Sequence, residues 1–275
     1  MSVARLPFIL LKLILLLSLY SQSSAAVEQV SIPAGSFHMG CASADNHCQK
    51  DEGPRGGVEI FVDTFSIDRH EASVADYRRC VTAGACSHPK DFNRNHYCNY
   101  DAPGRDNHPL NCVDWQQANS YCQWRGGRLA YEAEWEKAAR AGTNSRYPWG
   151  NHDATCKHAI MDDQKTKGLI NDEYDGCGND QTWSRGSRPA NAYGLYDMHG
   201  GVAEWVNNWY EPTSHSDIYP QDISAPKTGV RKVIRGGAWD EQSEALTSSS
   251  RWAKPPTGHP SLYGSNGIRC VNTKR

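Results

Sequence analysis

The chain has 275 residues, with 29 Lys and Arg against 31 Asp and Glu and a formal net charge of −2. That length suffices for one domain with a sizeable core. The balanced charge, with no basic run, excludes proteins that work by neutralising nucleic-acid phosphates.

Residues 1–26 stand apart from the rest. Arg5 and Lys12 accompany a mostly apolar run, Leu6 to Leu19, and the small residues Ser24-Ala25-Ala26 follow. A charged start, an apolar centre and a small-residue end predict a secretory signal peptide over 1–26 and a domain over 27–275. The alternative is an anchoring helix, which the short run, Pro7 and Lys12 disfavour. Position 27 is Val rather than Cys, so no lipoprotein anchor is indicated. The expected product is exported, periplasmic or secreted, and not membrane-spanning after cleavage.

Short strand signals open the remaining chain at Val30–Ile32, Phe37–Met39 and Val58–Ile67, the last with period-two alternation. Ser73 is placed to cap a helix Val74–Val81, with Gly84 beyond its end. Asp114 is placed to cap Trp115–Trp124, closed by Gly126-Gly127. A third helix, Tyr131–Ala141, is rich in Ala and Glu and stops at Gly142. From about 143 to 190 the chain is polar and full of Gly, Asn and Asp, so turns dominate there. Few helices, short strands and long loops predict an α+β domain with much irregular backbone.

All ten cysteines follow residue 26. An even count in an exported chain reads as a disulfide framework, and none forms a CxxC pair. The spacings suggest local loops joining Cys41 with Cys48, Cys80 with Cys86, Cys98 with Cys112 and Cys156 with Cys177. Cys122 and Cys270 are left over. Spacing leaves the connectivity open.

Residues 233–240 read VIRGGAWD. The adjacent Gly236 and Gly237 let backbone pass where no Cβ fits, so this strand is expected to end against something crowded. Three stretches then combine: RLAYEAEWEKAARAG at 128–142, NAYGLYDMHGGVAEWVNNWY at 191–210, and the run from RGGAW at 235 to GIRCV at 267–271. Smaller blocks accompany them: IPAGSFHMG, DEGPR and YPWGN. In this order they resemble the formylglycine-generating enzyme, or sulfatase-modifying-factor, family, which typically shows RLPTEAEWE, YGLYDMxGNVWEW, RGGSW and GFRC.

The resemblance implies a single irregular domain of the C-type-lectin-like type, often with bound calcium. Family enzymes oxidise a substrate cysteine to formylglycine with two copper-binding cysteines, four and nine residues after the second Gly of RGG. Relatives include ergothioneine sulfoxide synthases, a periplasmic pyoverdine-maturation protein, and variable ligand-binding proteins. Here the two cysteine positions hold Glu241 and Leu246, which supply no soft ligand for Cu(I). Copper is therefore not expected, and Ala238 replaces the Ser of RGGS. Cys270 matches the family's structural cysteine, whose mate falls where Cys122 stands. The family's calcium loop corresponds to GGVAEW, which keeps Glu204 but has Gly201 in place of Asn. Asp175 is a second candidate calcium ligand.

The remaining candidates have plainer readings. Trp135, Trp205 and Trp209 are expected in the core. Arg235, Arg251 and Arg269 match structural arginines, whose five donors suit tying loops to carboxylates. Glu132, Glu134 and Glu136 are not expected to share one helical face. His70, His152, His158 and His199 form no HExxH, so an iron site would need tertiary assembly. The expected function is binding, on a surface made by Trp239, Glu241, Arg251, Trp252, His259 and Tyr263. Its partner would be an unknown ligand, a peptide or an envelope protein. The alternative is an oxidoreductase of the pyoverdine-maturation type using a non-cysteine metal site.

Overall fold

The computed structural model describes residues 27–89, 97–163, 176–177, 181–258 and 264–272. The expected leader at 1–26 lies outside the described residues. In chain order the strands are β1 (Gln29–Ile32), β2 (Gly35–Met39), β3 (Val58–Val62), β4 (Phe65–Asp68), β5 (Gly127–Leu129), β6 (Ala203–Trp209), β7 (Lys232–Arg235), β8 (Trp252–Lys254), β9 (Asn266–Gly267) and β10 (Cys270–Asn272). The helices are α1 (Val74–Thr82), α2 (Trp115–Trp124), α3 (Glu132–Arg140) and α4 (Ser214–Asp217). No helix among the described residues is long and apolar enough to cross a membrane.

The helix starts follow from local chemistry. Ser73 Oγ accepts the Asp76 N–H at 3.0 Å, and Asp114 Oδ1 accepts the Gln117 N–H at 2.9 Å. Each satisfies a backbone donor that a helix leaves orphaned. Tyr131 is the N-cap of α3 rather than its first turn, and Ala141 ends it in the left-handed region at φ 48°.

One four-stranded sheet has the order β1-β4-β10-β5, and a second has the order β8-β7-β6-β9. A separate ribbon joins β2 to β3. The single strand expected over Val58–Ile67 is two strands in two sheets. The break falls at Asp63-Thr64, where Thr64 Oγ1 accepts the Ala34 N–H at 3.1 Å and turns the chain from one sheet to the other.

Helix α3 runs through the centre, and all its residues are buried. Its apolar side packs Ala133, Ala138 and Trp135 against Ile32, Ile60, Ile67 and Val233. A second core joins α1 and α2 to β5, β6 and β7 through Tyr77, Tyr121, Leu129, Trp205 and Ile234. The disulfides join Cys41–Cys48, Cys80–Cys86, Cys98–Cys112, Cys122–Cys270 and Cys156–Cys177. Four are the local loops that the spacing suggests, and Cys122–Cys270 joins the two cysteines left over, as the resemblance implies. Cys122–Cys270 closes 148 residues of chain and fastens α2 to β10.

The charged residues of α3 face inward with partners. Glu132 binds Arg251 through two bonds, Nε to Oε1 at 2.7 Å and a terminal nitrogen to Oε2 at 2.9 Å. Glu136 binds Arg140 at 2.8 Å and also Arg235. Burial works to raise the Glu132 carboxyl, but Arg251 and Arg235 outweigh it and hold it at about 2. Glu132 and Glu136 share a face without Glu134, so the three do not lie on one side, as the sequence reading expected. They are four apart, the spacing that stacks side chains on a helix, while Glu134 between them turns to Arg128.

Candidate functional site

Strand β7 ends where backbone passes close to other groups. A Cβ on Gly236 would lie 3.1 Å from the Trp135 ring and from Met198 O, and one on Gly237 would lie 2.6 Å from Leu246 Cδ1. Both glycines have positive φ, 96° and 66°. The crowding expected of the double glycine is present, and its wall is core rather than open cleft. The strand then turns outward: Trp239 N donates to Gly201 O at 3.0 Å, and Glu241 N closes a turn onto Ala238 O at 3.1 Å.

Three consecutive side chains after this crossing carry buried polar atoms without partners: Trp239 Nε1, Asp240 Oδ1 and Glu241 Oε2. Buried polar atoms in folded proteins are normally paired, so three in a row need an explanation. Trp239 is 3% exposed, and its ring lies 5.2 Å from that of Tyr97. Asp240 is anchored on its other oxygen, which accepts from Ser265 Oγ at 2.8 Å. Burial, then the neighbouring Asp240, push the Glu241 carboxyl up to about 7, against the pull of Lys254. Burial also raises Asp240 and lowers Lys254. The loop thus holds an indole donor, two carboxyls and an ammonium poorly served by water. Such groups can meet both donors and acceptors of a ligand.

The structure divides the sequence-nominated residues. Trp239 and Glu241 stand together here, with the orphaned atoms. Trp252, on β8, is 46% exposed and opposes Ile234 in register, so it flanks the same sheet edge as Lys254. Arg251 is corrected: it is buried, clamps Glu132, and donates to Asp51 O at 2.8 Å, so it belongs to the core and not to a binding surface. Leu246 is fully buried in a small core with Tyr147, Ala154, Ala159 and Met161. His259 and Tyr263 lie outside the described residues.

Glu204, expected as a calcium ligand, lies buried beneath the loop. Its Oε1 accepts from Arg269 Nε at 2.8 Å and its Oε2 from Trp135 Nε1 at 2.6 Å, so both oxygens serve the fold. Gly201 offers no side-chain oxygen. In its place the Glu71 carboxyl approaches, with Oε1 accepting the Val202 N–H at 3.0 Å. Burial, then Asp197 and Glu204, hold the Glu71 carboxyl well above the usual carboxylate range. Asp175 lies outside the described residues. Among the described residues no three His, Cys, Asp or Glu side chains converge as a metal site. His199 sits buried with Nδ1 at 2.7 Å from Leu246 O, and burial lowers its imidazole to about 4. All cysteines are in disulfides, leaving no free thiol.

Sequence reasoning missed Asp240, Lys254, Tyr97 and Glu71. Asp240 was within reach, as one of two carboxylates directly after Trp239. Lys254 follows from Trp252 by the period of two in a strand. Tyr97 and Glu71 carried no local signal, since both arrive from distant parts of the chain.

Comparison with known proteins adds the lineage. Residues 18–274 match the profile of the sulfatase-modifying factor enzyme 1-like domain. The chain is 30% identical over 265 residues to the formylglycine-generating enzyme of Thermomonospora curvata, covering 80% of this chain and 84% of that protein. It is 32% identical over 259 residues to the serine/threonine-protein kinase pkn1 of Chlamydia caviae; the match covers 89% of this chain but only 38% of the kinase's length. Among solved structures, PvdO from Pseudomonas aeruginosa superposes with a TM-score of 0.72 at 27% identity, covering 88% of this chain and 93% of that one.

Proposed function

The chain belongs to the sulfatase-modifying factor enzyme 1-like family, and from that premise we propose that it is an exported binding protein without the family's copper–cysteine chemistry. The single observation that carries this reading is the run of three orphaned polar atoms at Trp239, Asp240 and Glu241, where the family's first cysteine would stand. A thiolate pair would give that loop a metal. A buried carboxyl, an indole N–H and a nearby ammonium give it hydrogen-bonding groups awaiting a partner. Export rests on the leader pattern over 1–26 and on five disulfides, which persist in oxidising compartments. The rigid scaffold beneath, with α3 clamped by Arg235 and Arg251, suits presentation of loops to a ligand or to a peptide or envelope protein.

The direct experiment pans a displayed random-peptide library on the protein, with Trp239→Ala and Glu241→Ala as controls. Peptides that bind the parent and lose at least tenfold in affinity on both variants support the reading. Peptides that bind all three alike would remove this loop from the binding surface.

A second reading, an oxidoreductase of the pyoverdine-maturation type, is favoured by the likeness to PvdO. It requires a metal site not built from cysteine. Aldehyde formation from a cysteine peptide, or oxygen uptake with added iron or copper, would move the assignment to this reading.

A further inference from the structure

A cavity of about 380 Å³ opens between α1, α2 and the sheet that β1, β10 and β5 share, and none of its lining residues belongs to the loop after β7. Tyr121, Trp124 and Arg125 line it from α2, at the three- and four-residue spacings that put side chains on one helical face. Arg79 of α1 joins them, with Val27 and Gln29 at the start of β1. The Cys122–Cys270 disulfide fastens α2 to β10, two of the walls, so the cavity is built before any ligand arrives. Its charged lining is cationic: Arg79 and Arg125 line it, and no Asp or Glu among the described residues does. The carboxylates that pair with these arginines, Asp76 and Asp68, lie buried outside the lining. Asp76 is shared between Arg79 and Arg185, the latter at 3.5 Å, whereas Asp68 serves Arg125 alone among the arginines' side-chain pairings. Three guanidiniums against two carboxylates leave one positive charge in excess. Tyr121 is 0% exposed, and its hydroxyl has no hydrogen-bond partner. The Arg125 guanidinium lies over its ring, 5.7 Å from the centroid, without completing a bond to that oxygen. Buried hydroxyls are normally paired, so this one needs an acceptor. Trp124 is 40% exposed, with its ring 6.0 Å from that of Tyr121, and offers a flat apolar surface beside the donors.

We propose that this cavity is a binding site for a small organic carboxylate that carries an aromatic ring. The carboxylate accepts from Arg79, Arg125 and the Tyr121 hydroxyl, and the ring lies against Trp124. A guanidinium has five donors, of which Asp68 takes two from Arg125, so pairing with Asp68 does not exhaust it. Charge-assisted bonds to an oxyanion are the strong kind, and the excess positive charge favours a ligand that brings one negative charge. The site stands apart from the loop that carries the orphaned atoms of Trp239, Asp240 and Glu241, and the inference holds whether or not that loop binds a ligand.

The test is titration calorimetry of the purified protein with benzoate, phenylacetate and indole-3-acetate, each beside its neutral amide, and with inorganic phosphate. At least one carboxylate is expected to bind with one-to-one stoichiometry at or below millimolar concentration, and its amide about tenfold more weakly. Inorganic phosphate, which has no ring to lay on Trp124, is expected to bind more weakly than that carboxylate. Arg79→Gln and Trp124→Ala are each expected to lose about tenfold in affinity for it. Tyr121→Phe removes only the hydroxyl, and is expected to lose roughly threefold to tenfold in affinity while its unfolding midpoint stays within roughly 2 °C of the parent or rises. A purely structural hydroxyl would show the reverse, a lower midpoint with unchanged affinity. Should Arg79→Gln fail to fold, Tyr121→Phe and the matched amides still decide the matter. No binding by any of the three carboxylates at millimolar concentration, an amide or phosphate that binds as tightly, or a Tyr121→Phe protein with the parent's affinity overturns the proposal.

Discussion

Arg235 and Glu241 stand a few residues apart on the same stretch of chain, and the fold treats their charges in opposite ways. Arg235 is fully buried, yet it donates to Glu136 and to the carbonyls of Ser248, Ser249 and Ser250, with only its Nε left over. Around it Glu132, Glu136, Arg140 and Arg251 complete a network in which each charge faces an opposite one. Glu241 has Asp240 beside it, a lysine that offsets only part of the burial cost, and an oxygen with no partner. The first region shows what a structural ionic cluster looks like when complete. The second has the same kinds of groups but is incomplete from within, which is what a ligand-binding loop requires.

The comparison can be broken most severely at its paired end. Arg235→Ala takes one of the two arginines from Glu136 and leaves the buried carbonyls of Ser248, Ser249 and Ser250 without their donor, and is expected to cost roughly 3–5 kcal/mol. Equilibrium denaturation measures this, and a loss under about 1 kcal/mol would show that the network is not held as described.

At the unpaired end the sign should reverse. Glu241→Met removes an orphaned buried carboxyl and is expected to raise stability by about 1 kcal/mol near pH 8. The pH dependence sharpens this. The Glu241 carboxyl is held at about 7 in the folded protein against its ordinary 4.5, so the folded state keeps a proton that the unfolded state has released. Stability contributed by this group is present below about 4.5 and is lost as pH rises towards 7. Asp240 shifts in the same direction, while the lowered imidazoles of His70 and His199 act oppositely as pH falls from 6.5 towards 4. The informative quantity is therefore the parent minus Glu241→Met difference across pH 4.5 to 7. A difference that does not change with pH would show that Glu241 titrates normally.

The smallest effect on folding is expected at the rim. Trp252→Ala should change stability by less than about 0.5 kcal/mol, as exposed positions generally do. If the loop binds a ligand, the same change should weaken binding by about 1–2 kcal/mol, because exposed aromatics at an interface edge contribute through burial on association. Denaturation and titration calorimetry on one variant separate the two. Equal losses in both would make Trp252 part of the fold.

Much of this was legible in the residues themselves. Ser73 and Asp114 cap helices because a short side chain reaches backbone donors two or three residues on, a purely local matter. The cysteine spacings, the double glycine after β7 and the ordered motif blocks are likewise patterns that a reader of the chain can see. So was the replacement of the family's cysteines by Glu241 and Leu246. Tertiary structure alone decided the partners. Arg251 reads as a surface residue beside Trp252, but it turns inward to meet Glu132, 119 positions earlier. Nothing near Glu204 in sequence tells that Arg269 and Trp135 meet its oxygens, and Glu71 gives no sign in sequence of reaching Val202, 131 positions away. Val58–Ile67 reads as one strand and is two, because its halves pair with different neighbours. The division has one physical cause: caps, turns and periodicity depend on groups within a few residues, whereas the pairing of a buried charge depends on whatever the packed core brings within 3 Å of it.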